Sequence, residues 1–277
     1  MNFAQKKSVV LALVMLGMWA AGFSSCQKEE TTGNNEASIS LAKDESAAED
    51  LFADAFDLAD MYMENMGGSG KTADDCPTVT SSTPAGTFPK TITIDFGDSC
   101  EGEGGRIRSG QIIVTISDTM SNAGATKTRT YQNYFVNGIQ VQGTHTTTNN
   151  GVNAEGNPTF THTLTDGSLT FTDGSTATRQ SVQTITTIAG WDTPPQWDNV
   201  WAITGNSNGV NRNGIAYSTL ITEPLIKRRN CRWIVSGTVE ITRNDQTATL
   251  NYGNGACNRF ATLTTPDGET HEIQLPL

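Results

Sequence analysis

The sequence predicts a mainly β protein: an antiparallel meander forming a curved sheet, a sandwich or an open barrel, preceded by one amphipathic helix. Three observations carry this. From Thr78 onward apolar residues alternate with polar ones, and Thr is the dominant polar residue. Turn dipeptides punctuate the alternation at Asn137-Gly138, Asp166-Gly167, Asp173-Gly174, Asn213-Gly214 and Asp267-Gly268. Helical periodicity occurs once, before the β region. Alternation at period two is the signature of a half-buried strand, and Asn-Gly or Asp-Gly pairs supply the positive φ of tight hairpins.

The N-terminus reads as a processed segment. Lys6 and Lys7 precede an apolar run from Val9 to Phe23, shorter than the ~20 residues a membrane span needs. The run ends in Phe23-Ser24-Ser25-Cys26, which resembles the lipobox of bacterial lipoproteins, although Phe23 stands where Leu is usual. Residues 1–25 are therefore expected to be a signal peptide and Cys26 the acylated first residue of a 252-residue mature chain. A secreted protein cleaved nearby and a retained anchor are the alternatives. The stretch Gln27-Lys28-Glu29-Glu30 resembles the signal that sends Bacteroidota lipoproteins to the outer face of the outer membrane.

Loss of Lys6 and Lys7 moves the formal charge from −11 to −13. So acidic a chain repels phosphate backbones, which argues against nucleic acid as a partner. Attachment to the outer membrane is expected through acyl chains on Cys26, and stable anchoring takes more than one chain.

Residues 26–43 read as a flexible tether, because they are polar and lack periodicity; the seventeen residues after Cys26 reach about 55 Å when extended. The amphipathic helix is expected within 44–70. Ser46 and Glu49 match a capping box, and Gly67-Gly68 a stop. Ala48, Leu51, Phe52, Ala55, Leu58, Ala59, Tyr62 and Met66 recur along one face. The opposite face carries Glu49, Asp50, Asp54, Asp57, Asp60 and Glu64. Such a helix docks on a sheet by its apolar face or serves a partner.

Residues 71–277 read as one β domain. Strands are expected over 111–117, 128–136, 139–148, 159–165, 168–172, 176–188, 200–204, 215–221, 232–242, 247–252, 259–265 and 270–275. A phrase is written twice in this region: Thr91 to Cys100 is "TITIDFGDSC" and Thr247 to Cys257 is "TATLNYGNGAC". Each copy is the return strand of a hairpin with a cysteine at either end. In the later one a turn at Asn244-Asp245 pairs Arg243 with Gln246, Ile241 with Ala248, Val239 with Leu250 and Gly237 with Tyr252. A bulge at Gly253-Asn254-Gly255 then brings Cys231 beside Cys257. In the earlier one the chain turns around Pro84-Ala85-Gly86, and Cys76 meets Cys100. Four cysteines allow three pairings, and the alternative to disulfides is a zinc site, against which the absence of C-x-x-C spacing argues.

The combination of Thr91–Cys100, "GRIRSGQI" (105–112), "NYFVNGIQVQGT" (133–144) and "NYGNGAC" (251–257) resembles a family of uncharacterised Bacteroidota surface lipoproteins. The resemblance implies a β fold and an envelope location, and supplies no catalytic residues.

Three constellations are candidates for chemistry. His145 and His162 flank the loop 149–158 and are expected to face one another; two imidazoles are short of a metal site, and core packing is the alternative. Asp95, Asp98, Glu101 and Glu103 cluster among glycines, as a Ca²⁺ loop or an acidic turn. The stretch 190–201 holds Trp191, Trp197 and Trp201 with Asp192 and Asp198. Exposed indoles stack on sugar faces while acids take hydroxyls, whereas buried ones would close the core. No H-E-x-x-H or phosphate-loop pattern occurs.

The expected function is thus a non-catalytic, lipid-anchored surface protein of the outer membrane with a structural or interaction role and no cofactor. Its partner would be a protein or a glycan. A glycan-binding accessory and a glycoside hydrolase with a dispersed carboxylate pair are the alternatives.

Overall fold

In a computed structural model of the chain, the structure describes residues 26–64, 76–102, 105–192 and 198–275, with side chains at 35–55, 58–62 and throughout the remaining segments. The expected signal peptide, residues 1–25, and the expected stop at Gly67-Gly68 lie outside them.

Among the described residues one helix, α1 (Cys26–Glu64), precedes fourteen strands. These are β1 (Thr78–Ser81), β2 (Lys90–Asp95), β3 (Cys100–Glu101), β4 (Ile107–Ile116), β5 (Thr126–Val136), β6 (Ile139–Val152) and β7 (Pro158–Thr170). There follow β8 (Thr176–Ala189), β9 (Val200–Val210), β10 (Ala216–Arg228), β11 (Ile234–Arg243), β12 (Gln246–Asn254), β13 (Phe260–Thr264) and β14 (Thr270–Gln274). All belong to one antiparallel sheet in sequence order from β1 to β14, except that β3 leaves the path and pairs with the start of β4. The ends β1 and β14 do not pair, so the sheet is open.

Outward positions explain the threonines. Thr91, Thr115, Thr128, Thr146 and Thr163 are successive partners across β2, β4, β5, β6 and β7. A β-branched side chain suits a pleated surface, and its hydroxyl tolerates water.

Both cysteine-closed hairpins are present. Cys76–Cys100 and Cys231–Cys257 are disulfides with Cα separations of 5.7 and 5.8 Å. Across β11 and β12, Arg243 pairs with Gln246, Ile241 with Ala248 and Val239 with Leu250. Register slips by one residue between Ser236 and Thr238, and Asn254 becomes the partner of Ser236. The expected Gly237–Tyr252 pair therefore falls inside the bulge.

Elsewhere the strands run longer than the turn signals suggest. Asp166-Gly167 is no hairpin turn: it is a bulge within β7, with Asp166 at φ 51°. A Cβ on Gly167 would stand 2.5 Å from the Arg179 carbonyl oxygen. Glycine there reflects close backbone approach. Likewise β9 continues through Gly205 to Val210, and β10 continues through Pro224, where its register against β9 shifts between Leu220 and Leu225. Proline is admitted at such an irregularity because no ladder hydrogen bond is lost.

The tether expectation requires correction. Helix α1 begins at Cys26, and its segment from Asn35 already packs on the sheet: Leu41 is 1 % exposed and Ala42 fully buried. Buried positions recur at Asn35, Ser38, Leu41, Ala42, Glu45, Ser46, Ala48, Leu51, Phe52, Ala55 and Ala59. This is one continuous stripe at helical spacing, but its first turns are polar, so hydrophobic periodicity detects only the second half. Ser46 and Glu49 accordingly lie inside the helix and do not cap it.

Two apolar clusters fill the concave side. Ala48, Leu51, Phe52, Ala55 and Ala59 pack with Ile92, Ile94, Phe96, Ile112, Val114, Tyr134, Val136, Val141, Leu164 and Leu169. Leu41 and Ala42 pack with Leu225, Val239, Ile241, Leu250, Leu263 and Ile273. One helix of about 58 Å thus serves both halves of the sheet. Asp50 reports the curl directly: it reaches Arg106 before β4 at 2.5 Å and Arg232 before β11 at 3.6 Å, from opposite halves of the strand order.

Candidate functional site

Alongside the apolar clusters runs a polar seam, built by inward-facing basic residues of the sheet and carboxylates of α1. Alternation along β5 and β8 turns Arg129 and Arg179 inward, where they are 0 % and 4 % exposed. Arg129 Nη2 lies 2.6 Å from Asp60, which also takes Lys127 Nζ at 2.8 Å. Arg179 Nη2 lies 2.6 Å from Glu49 and 3.2 Å from Glu45. Arg106 and Arg108 hold Asp54 at 2.9 and 2.8 Å. Glu45 further accepts a hydrogen bond from Ser207 at 3.0 Å and a short one from the Tyr217 hydroxyl.

The acidic side of the helix thus meets the sheet as well as its apolar side. Glu49, Asp50, Asp54 and Asp60 meet sheet cations; Asp57 and Glu64 lie outside the described side chains. Burial would raise the Asp60 carboxyl, but Arg129 and Lys127 hold it below the usual range. Burial dominates at Asp50 and raises it, with Arg106 a partial offset. Burial and the adjacent Glu45 both raise the Tyr217 phenol. Buried charges in such number require partners, since each would otherwise bear the cost of desolvation alone. The sequence signal was available in retrospect: arginines at inward positions of strands need counter-ions, and α1 is the richest source of acids.

His145 and His162 come together, but not as direct cross-strand partners. His145 pairs with Leu164 and Thr147 with His162, because the strands pair on to Val152 and Pro158, so the turn centres beyond the middle of 149–158, and the slip between Asn149 and Gly151 recovers only one position. The rings are diagonal neighbours, edge to face, with centroids 5.5 Å apart. Burial pushes His145 down to about 3, helped by the charge of Arg129, and His162 falls well below its usual value for the same first reason. His145 is buried and His162 half-buried, and both rings are held neutral.

Asp95 is engaged structurally: it accepts from the Gly97 amide at 2.8 Å and from Gln111 Nε2 at 2.7 Å. Asp98 and Glu101 are exposed, and Glu103 lies outside the described residues. Among the described residues no group of three or more potential metal ligands converges.

The tryptophan stretch is divided. Trp191 is 45 % exposed, and Asp192 and Asp198 are exposed beside it. Trp197 lies outside the described residues. Trp201 is half-buried in β9, between its partners Thr187 and Lys227. The connection is tight at its base: a Cβ on Gly190 would stand 2.6 Å from the Asn199 amide nitrogen. Trp191 therefore sits close to Asp198 and presents an indole to solvent, while Trp201 does not share that exposure. Compared with known proteins, the chain matches no family model, no curated protein and no solved structure.

Proposed function

We propose that this is a lipid-anchored protein of the outer membrane surface, held through acyl chains on Cys26, whose β domain is non-catalytic and serves structural or interaction roles. One observation supports this above others. The concave face, where a curved sheet has room for a small substrate, is occupied by α1. Its carboxylates are committed to sheet arginines. Recognition is then left to the outer surface and the rims. Growing cells with labelled palmitate tests the anchor: label enters the wild-type chain and not Cys26→Ala. External protease that leaves the chain intact on whole cells overturns the surface location. Hydrolysis of a polysaccharide panel, abolished by a single carboxylate substitution, overturns the non-catalytic assignment.

A second reading is favoured by Trp191. An indole 45 % exposed beside Asp192 and Asp198 has the composition of a sugar platform. In that reading the protein is a glycan-binding accessory using Trp191, Trp197, Trp201, Asp192 and Asp198. Saturable binding on a glycan array, lost in Trp191→Ala, supports it; binding unchanged by that substitution rules the platform out.

A further inference from the structure

On β5, β6 and β7 the outward positions form a block of threonines, three consecutive ones on each strand. Thr126 pairs with Thr148, and Thr148 with Thr161. Thr128 pairs with Thr146, and Thr146 with Thr163. Thr130 pairs with Thr144, and Thr144 with Thr165. The alternate positions Arg129, His145, Thr147 and Leu164 are buried, so the whole block lies on the outer face of the sheet. The first row runs on through Thr184 to Thr204, and the second through Thr115 to Thr91.

The block is a regular ladder. Register slips fall at its borders, after Thr130 on β5, between Gln142 and Thr144 and between Asn149 and Gly151 on β6, and after Leu164 where β7 meets β8. Bulges bend and twist a strand where they occur, and none interrupts the three rows across β5 to β7. Hydroxyl contacts inside the block are few: Thr128 and Thr146 stand 3.4 Å apart, and Thr165 donates to the Thr144 carbonyl at 3.4 Å. No acidic, basic or aromatic side chain stands in these rows between β2 and β9, although the chain as a whole has a net charge of −11.

We propose that this threonine block is an ice-binding surface. Neighbours across the strands stand about 4.8 Å apart, and successive outward residues along a strand about 6.8 Å. The repeats of oxygen positions on a prism face of ice are close to both. Each threonine sets a hydroxyl that can hold a water in place beside a methyl that gains by leaving liquid water. Charge matching favours the same partner. Ice is a neutral lattice, and a face without ions carries no tightly held hydration shells to break. A sugar is served less well, because the block offers no aromatic face for a pyranose to stack on. The inference rests on the reading of the outer surface as a recognition face and deepens it by naming a partner.

The test follows the recrystallisation of ice in frozen solutions of the full chain in detergent, against detergent alone, and in parallel the retention of the chain on insoluble cellulose. Wild type is compared with Thr146→Lys at the centre of the block, Thr128→Lys on the neighbouring strand, and Thr249→Lys on β12 as a control outside it. Circular dichroism checks their folds. Wild type is expected to slow the coarsening of ice. The concentration needed is expected to rise at least tenfold in Thr146→Lys and Thr128→Lys, whose ammonium groups keep their own hydration, and to stay unchanged in Thr249→Lys. Coarsening no slower than in detergent alone overturns ice as the partner. Slowing that is equal in wild type and Thr146→Lys overturns the block as the site. Retention on cellulose that is lost in Thr146→Lys, with no effect on ice, keeps recognition on the outer face and overturns ice. No response to either material overturns both.

Discussion

Arg129 Nη2 lies 2.6 Å from Asp60 Oδ1, and the arginine side chain is completely buried. A sheet cation is thereby satisfied from a helix about 70 residues away in sequence. The same relationship recurs at Arg179 with Glu45 and Glu49, and at Arg106 and Arg108 with Asp54. These pairs fix where along the sheet the helix sits, because a slide of one turn would leave several buried charges alone. Their role is placement of α1 more than net stability, as buried ion pairs seldom outperform apolar packing.

The corresponding prediction is a double-mutant cycle. Asp60→Ala strands Arg129 and is expected to cost about 3–5 kcal/mol in urea unfolding. Arg129→Met with Asp60→Leu removes both charges and is expected to cost much less. Losses in Asp60→Leu and in Arg129→Met that sum to the loss in the double variant would show that the pair has no special coupling.

The histidine pair predicts the acid limb of stability. His145 and His162 have folded pKa values below the ordinary 6.5, the first at about 3. Between the folded values and 6.5 the unfolded chain binds more protons. Stability therefore rises with pH through that window and is lost as pH falls from about 6.5. Each histidine contributes up to about 1.4 kcal/mol per pH unit. His145→Gln with His162→Gln is expected to flatten the profile between pH 6.5 and 4.5. An unchanged slope would mean that both rings already face solvent.

Carboxylates then act below that range, and in opposite senses. Asp60 is depressed by Arg129 and Lys127, so its contribution is present above the unfolded carboxylate value and lost as pH falls through the folded one. Asp50 is raised by burial, so its protonation on acidification favours the folded state. Asp60→Asn is thus expected to lose most stability at neutral pH and to converge on wild type in acid. Asp50→Asn, measured the same way, is expected to compare least favourably with wild type in acid.

The disulfides are expected to act on the unfolded chain. Replacing Cys231 and Cys257 by serine opens a loop of 26 residues and is expected to cost about 3 kcal/mol, seen as a lowered Tm. A loss near zero would indicate that the unfolded state already holds the β11–β12 hairpin.

The sheet was legible because its signals are local. Alternation, the two cysteine-flanked phrases and the Asn244-Asp245 turn give the β11–β12 register residue by residue up to its bulge. Asp166-Gly167 misled because the same dipeptide serves a hairpin and a bulge, and only the neighbouring strands decide which. The inward arginines and the true helix start were hidden for a different reason. Each depends on a partner far along the chain, so neither leaves a periodic apolar trace. Of the candidate sugar platform, the exposure of Trp191 and the burial of Trp201 follow from strand phase near an irregular connection, which spacing alone does not fix.

Leu41 is the sharpest test of that hidden half. Within a flexible tether its truncation would cost nothing. In the structure it is 1 % exposed and packs with the cluster formed by β10 to β14. Leu41→Ala is therefore expected to destabilise by about 2–5 kcal/mol, the range for a buried leucine whose surroundings only partly collapse. Lys43, exposed on the same helix, supplies the control: Lys43→Ala is expected within about 0.5 kcal/mol of wild type. Similar, small effects at both positions would return residues 26–43 to the role of a tether. A large effect confined to Leu41 would make the segment that follows Cys26 part of the folded core.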